Sequence, residues 1–173
     1  MTEKQLKILA TALRLFASKG VDSTSTSLIA KEAGVSEGLI FRHFKNKEGL
    51  LEAVLDMGYS RATEFFESLL SNEDPLTLIH TLIETPINIP EEEHEFWKLT
   101  YALKWQRGHY NTDLTEPLLA GVEKAFESLG YSNPREEAEI LLVFMDGIVF
   151  EILLKQSERA ESIVKHFKSK YTN

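Results

Sequence analysis

An all-α chain is predicted: a small N-terminal three-helix domain carrying a helix-turn-helix, then a longer helical domain, about nine helices in all. Three observations predict it. Apolar residues return every three or four positions along nearly the whole chain. Glycines, prolines and hydroxyl residues fall where helices should stop and start. No alternating pattern marks a strand, and no internal repeat or low-complexity segment interrupts the helical one.

In the first helix, Glu3 to Lys19, the stripe is Leu6, Leu9, Leu13 and Phe16, flanked by Ile8, Ala12 and Leu15. Gly20 stands where a left-handed C-terminal cap is needed, and the polar run Asp22 to Ser27 supplies hydroxyls to cap a second helix, about Ser27 to Ala33. Gly34 ends that helix, Val35 packs back onto the core, and Ser36 is placed as N-cap of a third helix through Phe44. Lys45 and Asn46 break the pattern before Leu50, Leu51, Val54, Leu55 and Met57 open a long fourth helix to about Leu70. Pro75 sits at the N-terminus of a fifth, Leu76 to Glu84, and Pro86 and Pro90 bracket a linker. A sixth helix is expected over Glu91 to Gly108, a seventh over Thr115 to Leu129 stopped by Gly130, an eighth from Pro134, and a last from about Arg159 to Tyr171. The domain boundary is placed at 60/61, giving a head of residues 1–60 and a body of residues 61–173.

At 173 residues and 43% hydrophobic content the chain can bury a sizeable core unaided. It has no cysteine, so no disulfide framework, thiolate metal site or catalytic thiol is available. The first twenty residues lack the unbroken apolar run of a signal peptide. The most apolar window, Ile140 to Leu154, is interrupted by Asp146 and Glu151 and falls short of the roughly 20 residues of a membrane span. A cytoplasmic protein is expected. The overall balance is acidic, 19 basic against 27 acidic residues, but it is uneven. The first fifty residues hold eight basic and five acidic groups, the remaining 123 eleven and twenty-two. A weakly basic head on a strongly acidic body suits a protein that presents one end to a polyanion.

The informative stretch is Thr24 to Lys47, TSTSLIAKEAGVSEGLIFRHFKNK. Two short helices joined by a tight glycine turn, the second opened by a hydroxyl, have helix-turn-helix geometry, in which the first helix crosses the phosphates and the second lies in the major groove. Ala30 and Ala33 let the helices approach, and Ile29, Val35, Ile40 and Phe44 have the spacing of a mini-core. Glu37, Gly38, Leu39, Phe41, Arg42 and His43 are left pointing outward. Exposed Leu39 and Phe41 are explained by contact with thymine methyls or sugar edges.

The run IAKEAGVSEGLIFRHFKNKEGLL resembles the signature of TetR-type (tetracycline-repressor) transcriptional regulators, from the first helix and Gly20 to Lys47, over about sixty residues. By position, the resemblance implies that Thr26, with Ser27 beside it, and Ser36 meet phosphates at helix N-termini, where amides and the dipole favour anions. It implies that Lys47 is a further phosphate anchor and that Arg42 and His43 contact bases or backbone. Phe41 departs from the usual tyrosine, so that tyrosine's phosphate contact is missing. Glu37 has two readings, acceptor from a cytosine amino group or cap of its own helix. The expected partner is double-stranded operator DNA, and no cofactor or metal is implied.

For the body the resemblance implies an inducer pocket among the fifth to eighth helices. The sixth is crowded with aromatics, Phe96, Trp97, Tyr101, Trp105 and Tyr110, with His109 among them, and Asp146, Phe150 and Glu151 are candidates to complete a pocket for a small-molecule effector. The competing reading of aromatics at helical spacing is plain core. On the eighth helix Leu141, Leu142, Met145, Ile148, Val149 and Ile152 cover more than one face, so they are expected to pair with a second copy in a homodimer, helped by Ile163, Val164 and Phe167 of the last helix. A carboxylate-bundle metalloenzyme would need a second Glu-x-x-His beside Glu91-x-x-His94, and there is none. No phosphate loop or nucleophile elbow is present either. An all-helical adaptor that binds only protein is the remaining alternative.

Overall fold

The computed structural model of the chain describes residues 1–72, 74–108, 112–155 and 158–172. The helices are α1 (Glu3–Lys19), α2 (Thr26–Ala33), α3 (Glu37–Phe44), α4 (Lys47–Asn72), α5 (Pro75–Glu84), α6 (His94–Arg107), α7 (Thr112–Ser128), α8 (Pro134–Phe150) and α9 (Ala160–Lys168). No strand occurs among the described residues. The linker between α5 and α6 coils into two 3-10 turns, Thr85–Asn88 and Glu91–Glu93, and one π-helical turn, Glu151–Lys155, extends α8. Two compact units result, Met1–Arg61 with Glu92–Tyr110, and Ala62–Glu91 with Asn111–Asn173.

In the first unit, α1 is opened by a capping box: Gln5 N–H donates to Thr2 Oγ1 at 3.3 Å while Thr2 N–H donates to Gln5 Oε1 at 2.7 Å. Its buried residues, Ile8, Leu9, Ala12, Leu13, Leu15 and Phe16, span a wider face than a single stripe. Leu6, expected inside, is 46% exposed. The reason is that α1 is covered by α2 and also by α6, which brings Phe96, Leu99 and Leu103 into the same core as Ile29, Ile40 and Leu50. The helix read as part of the body thus packs within the first unit. Gly58 of α4 makes this possible, because a Cβ there would collide with the Phe96 ring.

The second unit is built on α7 against α8, with α5 and α9 closing the core around Ile79, Leu82, Val122, Phe126 and Leu141. Asp74 caps α5 by accepting from the N–H groups of Leu76 and Thr77, and Pro75 supplies the first turn. The face of α8 that packs inward is the one assigned from sequence to a second copy. Leu141, Met145, Ile148, Val149 and, on α9, Val164 are buried within the chain's own fold, and Leu142, Ile152 and Phe167 are partly buried against that core. An exposed apolar stripe runs one step round the helix through Ile140, Val143 and Phe150, with Val143 73% exposed, and Ile163 of α9 is exposed as well. Phe144, Gly147, Ile148, Glu151, Arg159 and Ile163 line an open groove of about 500 Å³ on this side.

Past α9 the chain turns inward at Tyr171, whose ring lies among Phe126, Tyr131 and Phe167. Its carbonyl accepts from His80 Nε2 at 2.8 Å, and its hydroxyl donates to Glu137 Oε2 at 3.4 Å. Burial, and then the Glu137 charge, push this phenol up to about 12. The unfolded chain ionises it at the ordinary value of 10.0. The stability owed to the neutral phenol is therefore whole below that value and is lost as pH rises through the folded one. An absorbance titration should show a tyrosine ionising near about 12 that is missing from Tyr171→Phe. Urea midpoints of the native chain should fall over the same alkaline interval more steeply than those of the variant.

Candidate nucleic-acid interface

The surface built by α2, α3 and the start of α4 follows from local sequence. Ser25 caps α2, its hydroxyl accepting the Leu28 N–H at 3.1 Å. The helix stops at Gly34, whose φ of 64° is left-handed and open to glycine at little cost. Val35 N–H then returns to the Ala30 carbonyl, and the chain reaches Ser36 extended. Ser36 is the N-cap of α3 by backbone geometry, but its exposed hydroxyl makes no capping bond. Ile40 and Phe44 are buried from α3, and Leu39 packs against the same core half-buried.

Glu37 is engaged by the start of the neighbouring helix. Its carboxylate accepts the Thr26 hydroxyl at 2.7 Å, tying the first residue of α3 to the first residue of α2. The negative charge also sits at the N-terminal end of the α3 dipole, where it is favoured. Ser27 is exposed beside Thr26. Thr24, fully buried, donates to the carbonyls of Leu15 and Gly20 and so fixes the loop leaving α1. Lys47 secures that loop from the other side, its ammonium donating to the Val21 carbonyl at 2.9 Å. Two of its three donors are thus directed inward if the longer approach to the Asp22 carbonyl, 3.5 Å, is counted.

Along α3, Phe41 is 46% exposed, and Arg42 is exposed with no hydrogen bond or ion pair among the described residues. His43 is half-buried, with its Nδ1 3.3 Å from Gln5 Nε2 of α1. Sequence reasoning passed over Gln5, although Thr2-x-x-Gln5 has the spacing of a capping box. At the end of α3, Lys45 adopts φ 67°, ψ −52°, and Asn46 N–H bonds the Phe44 carbonyl at 2.8 Å, a strained γ-turn. Asn46 Oδ1 in turn accepts the Gly49 N–H at 2.8 Å, and a Cβ on Gly49 would strike the Phe44 carbonyl.

The candidates for an effector pocket fall in both units and are described unit by unit. Phe96 is buried against Gly58 and Tyr59, and Trp97 meets it edge-on with a buried indole N–H that has no partner among the described residues. Tyr101 is buried with the Lys104 ammonium over its ring, while Trp105 is 84% exposed. Asp146, Phe150 and Glu151 belong to the second unit, and His109 and Tyr110 lie outside the described residues. Among the described residues no three His, Asp or Glu side chains converge in a way that would hold a metal.

Two eight-residue helices about a left-handed glycine, held on a third helix and presenting a row of exposed side chains, define a helix-turn-helix protein. Residues 8–54 match the family model described as bacterial regulatory proteins, tetR family. This N-terminal part of the chain is of the TetR type. The chain is 46% identical over 61 residues to the uncharacterized HTH-type transcriptional regulator YvkB of Bacillus subtilis, covering 35% of this chain and 32% of that one. It is 37% identical over 84 residues to the HTH-type transcriptional regulator AcrR of Shigella flexneri, covering 47% and 39%. The chain spans about two fifths or less of the length of these curated relatives. Its fold is similar along nearly its whole length to a regulator of Saccharomonospora viridis solved with choline, with a TM-score of 0.79, 21% identity, and 98% and 95% of the two chains covered. It is likewise similar to AibR solved with isovaleryl coenzyme A and operator DNA, with a TM-score of 0.72, 19% identity, and 97% of each chain covered.

Gly38, on the exposed side of α3, has helical backbone, and a Cβ there would meet nothing within 4 Å. Nothing in the fold requires glycine at this position, and glycine inside a helix costs about 0.5–1 kcal/mol relative to alanine. Gly38→Ala should therefore raise the unfolding free energy by about that amount in urea titrations. A destabilised variant would show that the helix is constrained here by the fold itself.

Proposed function

We propose that this chain is a sequence-specific DNA-binding transcriptional regulator, a repressor that leaves its operator when a small molecule binds, and that it acts in the cytoplasm. The observation that carries the reading is the row Ser36, Gly38, Phe41 and Arg42, uncovered on one short helix of the more basic part of an acidic chain. The match over residues 8–54 supports it, as do the ligands with which the two similar structures were solved. In this reading α3 enters the major groove. Ser36 and the α2 start face phosphates, Arg42 offers a planar fork of donors to guanine or phosphate, and Phe41 packs on sugar or a thymine methyl. Bare Gly38 lets the helix approach the groove floor. No described helix is long and apolar enough to cross a membrane.

Useful selectivity requires two reading helices on one duplex face, so the regulator is proposed to act as a homodimer. The support is the Ile140–Val143–Phe150 stripe with Ile163, beside an open Gly147 that lets a second helix come close.

Duplexes enriched from a random-sequence pool by the native chain provide the test, since an adaptor that binds only protein would enrich none. Affinity for them should fall steeply with salt as phosphate contacts release counterions. Arg42→Ala should cost about 1–3 kcal/mol, concentrated at one base position if it reads a base and uniform if it holds phosphate. Gly38→Ala should bind more weakly despite folding more stably. A charge in the apolar stripe should undo pairing: Val143→Glu is expected to sediment at the monomer mass of 19.7 kDa where the native chain sediments as a dimer, with its thermal midpoint as a monomer retained.

A further inference from the structure

We propose that Gln5 is a positioning residue for the reading surface: it holds His43 in the tautomer protonated on Nε2, so that His43 offers DNA a donor and not an acceptor. This rests on the DNA-binding reading above. The argument starts from the Thr2 backbone N–H, which can only donate and lies 2.7 Å from the side-chain oxygen of Gln5. That bond settles which way the Gln5 amide faces. Its oxygen is committed to the α1 cap, so its NH₂ group is the end turned toward α3, 3.3 Å from His43 Nδ1. An amide nitrogen has hydrogens to give and no lone pair to offer, so Nδ1 must be the accepting nitrogen. In a neutral imidazole the proton then resides on Nε2. No other hydrogen bond to His43 is made among the described residues, and the Phe44 ring beside it, 6.1 Å between centroids, offers none. Nε2–H is therefore unspent, in the last turn of the helix whose neighbouring residue is the exposed Arg42.

The acceptors on a duplex that this position could meet are phosphate oxygens and the O6 and N7 edge of guanine. A donor at Nε2 suits all of them, and a lone pair there would be repelled by a phosphate. The cap alone does not explain glutamine at position 5, because glutamate closes a capping box equally well. Glutamate would, however, accept from Nδ1–H and invert the tautomer. The choice of amide over acid is thus accounted for by His43 and not by α1.

The test uses the full chain labelled with ¹⁵N in histidine, at a pH about two units above the ordinary histidine value of ~6.5. Long-range proton–nitrogen spectra should show His43 with a bare, pyridine-type Nδ1 and a protonated, pyrrole-type Nε2. In Gln5→Glu, whose thermal midpoint should be unchanged because the cap survives, the two nitrogens should exchange character. Affinity is then measured at that pH for a duplex enriched by the native chain. Gln5→Glu adds a negative charge whatever its effect on the ring, so the same substitution is repeated in His43→Gln, where the side-chain amide replaces the Nε2 donor and has no tautomer. The loss should be about tenfold larger in the native background than in His43→Gln. A native His43 protonated on Nδ1, or equal losses in the two backgrounds, would overturn the proposal. A native chain that enriches no duplex would sink the DNA-binding reading instead, a separate result because the spectra need no DNA.

Discussion

Helices of eight residues, such as α2 and α3, are too short to persist alone in water, where nucleation of a first turn is unfavourable and each added residue returns little. Everything they display depends on the apolar seam that holds them to α1. Phe16, Ile29, Ala33 and Ile40 are buried almost without remainder there, and the alanines keep the crossing close. Because α6 adds Phe96, Leu99 and Leu103 to the same core, the stability of the reading helices is not a property of the first sixty residues alone.

Polar side chains in this part of the chain are used mainly on one another. Thr24 and Lys47 hold the loop after α1, Thr26 and Glu37 join two helix starts, and Gln5 reaches His43. Such bonds contribute little net stability, about 1 kcal/mol each, but they fix direction. Residues that resemble ligand contacts by type are therefore partly fixing the geometry of their neighbours. The free capacity is concentrated in Ser36, Arg42 and the outward nitrogen of His43.

What was legible in the sequence was whatever depends on neighbours along the chain. Gly34 between two short apolar patterns gave the turn, and Pro75 gave the start of α5, because caps and turns are local chemistry. What was not legible was which apolar face would be covered. Leu141 and Val143 differ little in hydrophobicity, and periodicity cannot say that the former is buried in the core while the latter stays largely exposed. Leu6 was misplaced for the same reason, since α6, the other partner of α1, is about eighty residues away. The Glu37–Thr26 bond spans eleven positions and leaves no trace in local spacing.

The junction between α3 and α4 has a thermodynamic corollary. The γ-turn at Lys45, the Asn46 bond to Gly49 and the close pass of Gly49 under the Phe44 carbonyl leave no slack between the two helices. The strain of the turn, on the order of 1–3 kcal/mol, is already met during folding. A surface assembled this way has few backbone torsions left to freeze when it meets a partner, so association forfeits little chain entropy. Its heat-capacity signature would then track the area buried at contact, without the excess that accompanies a segment folding as it binds.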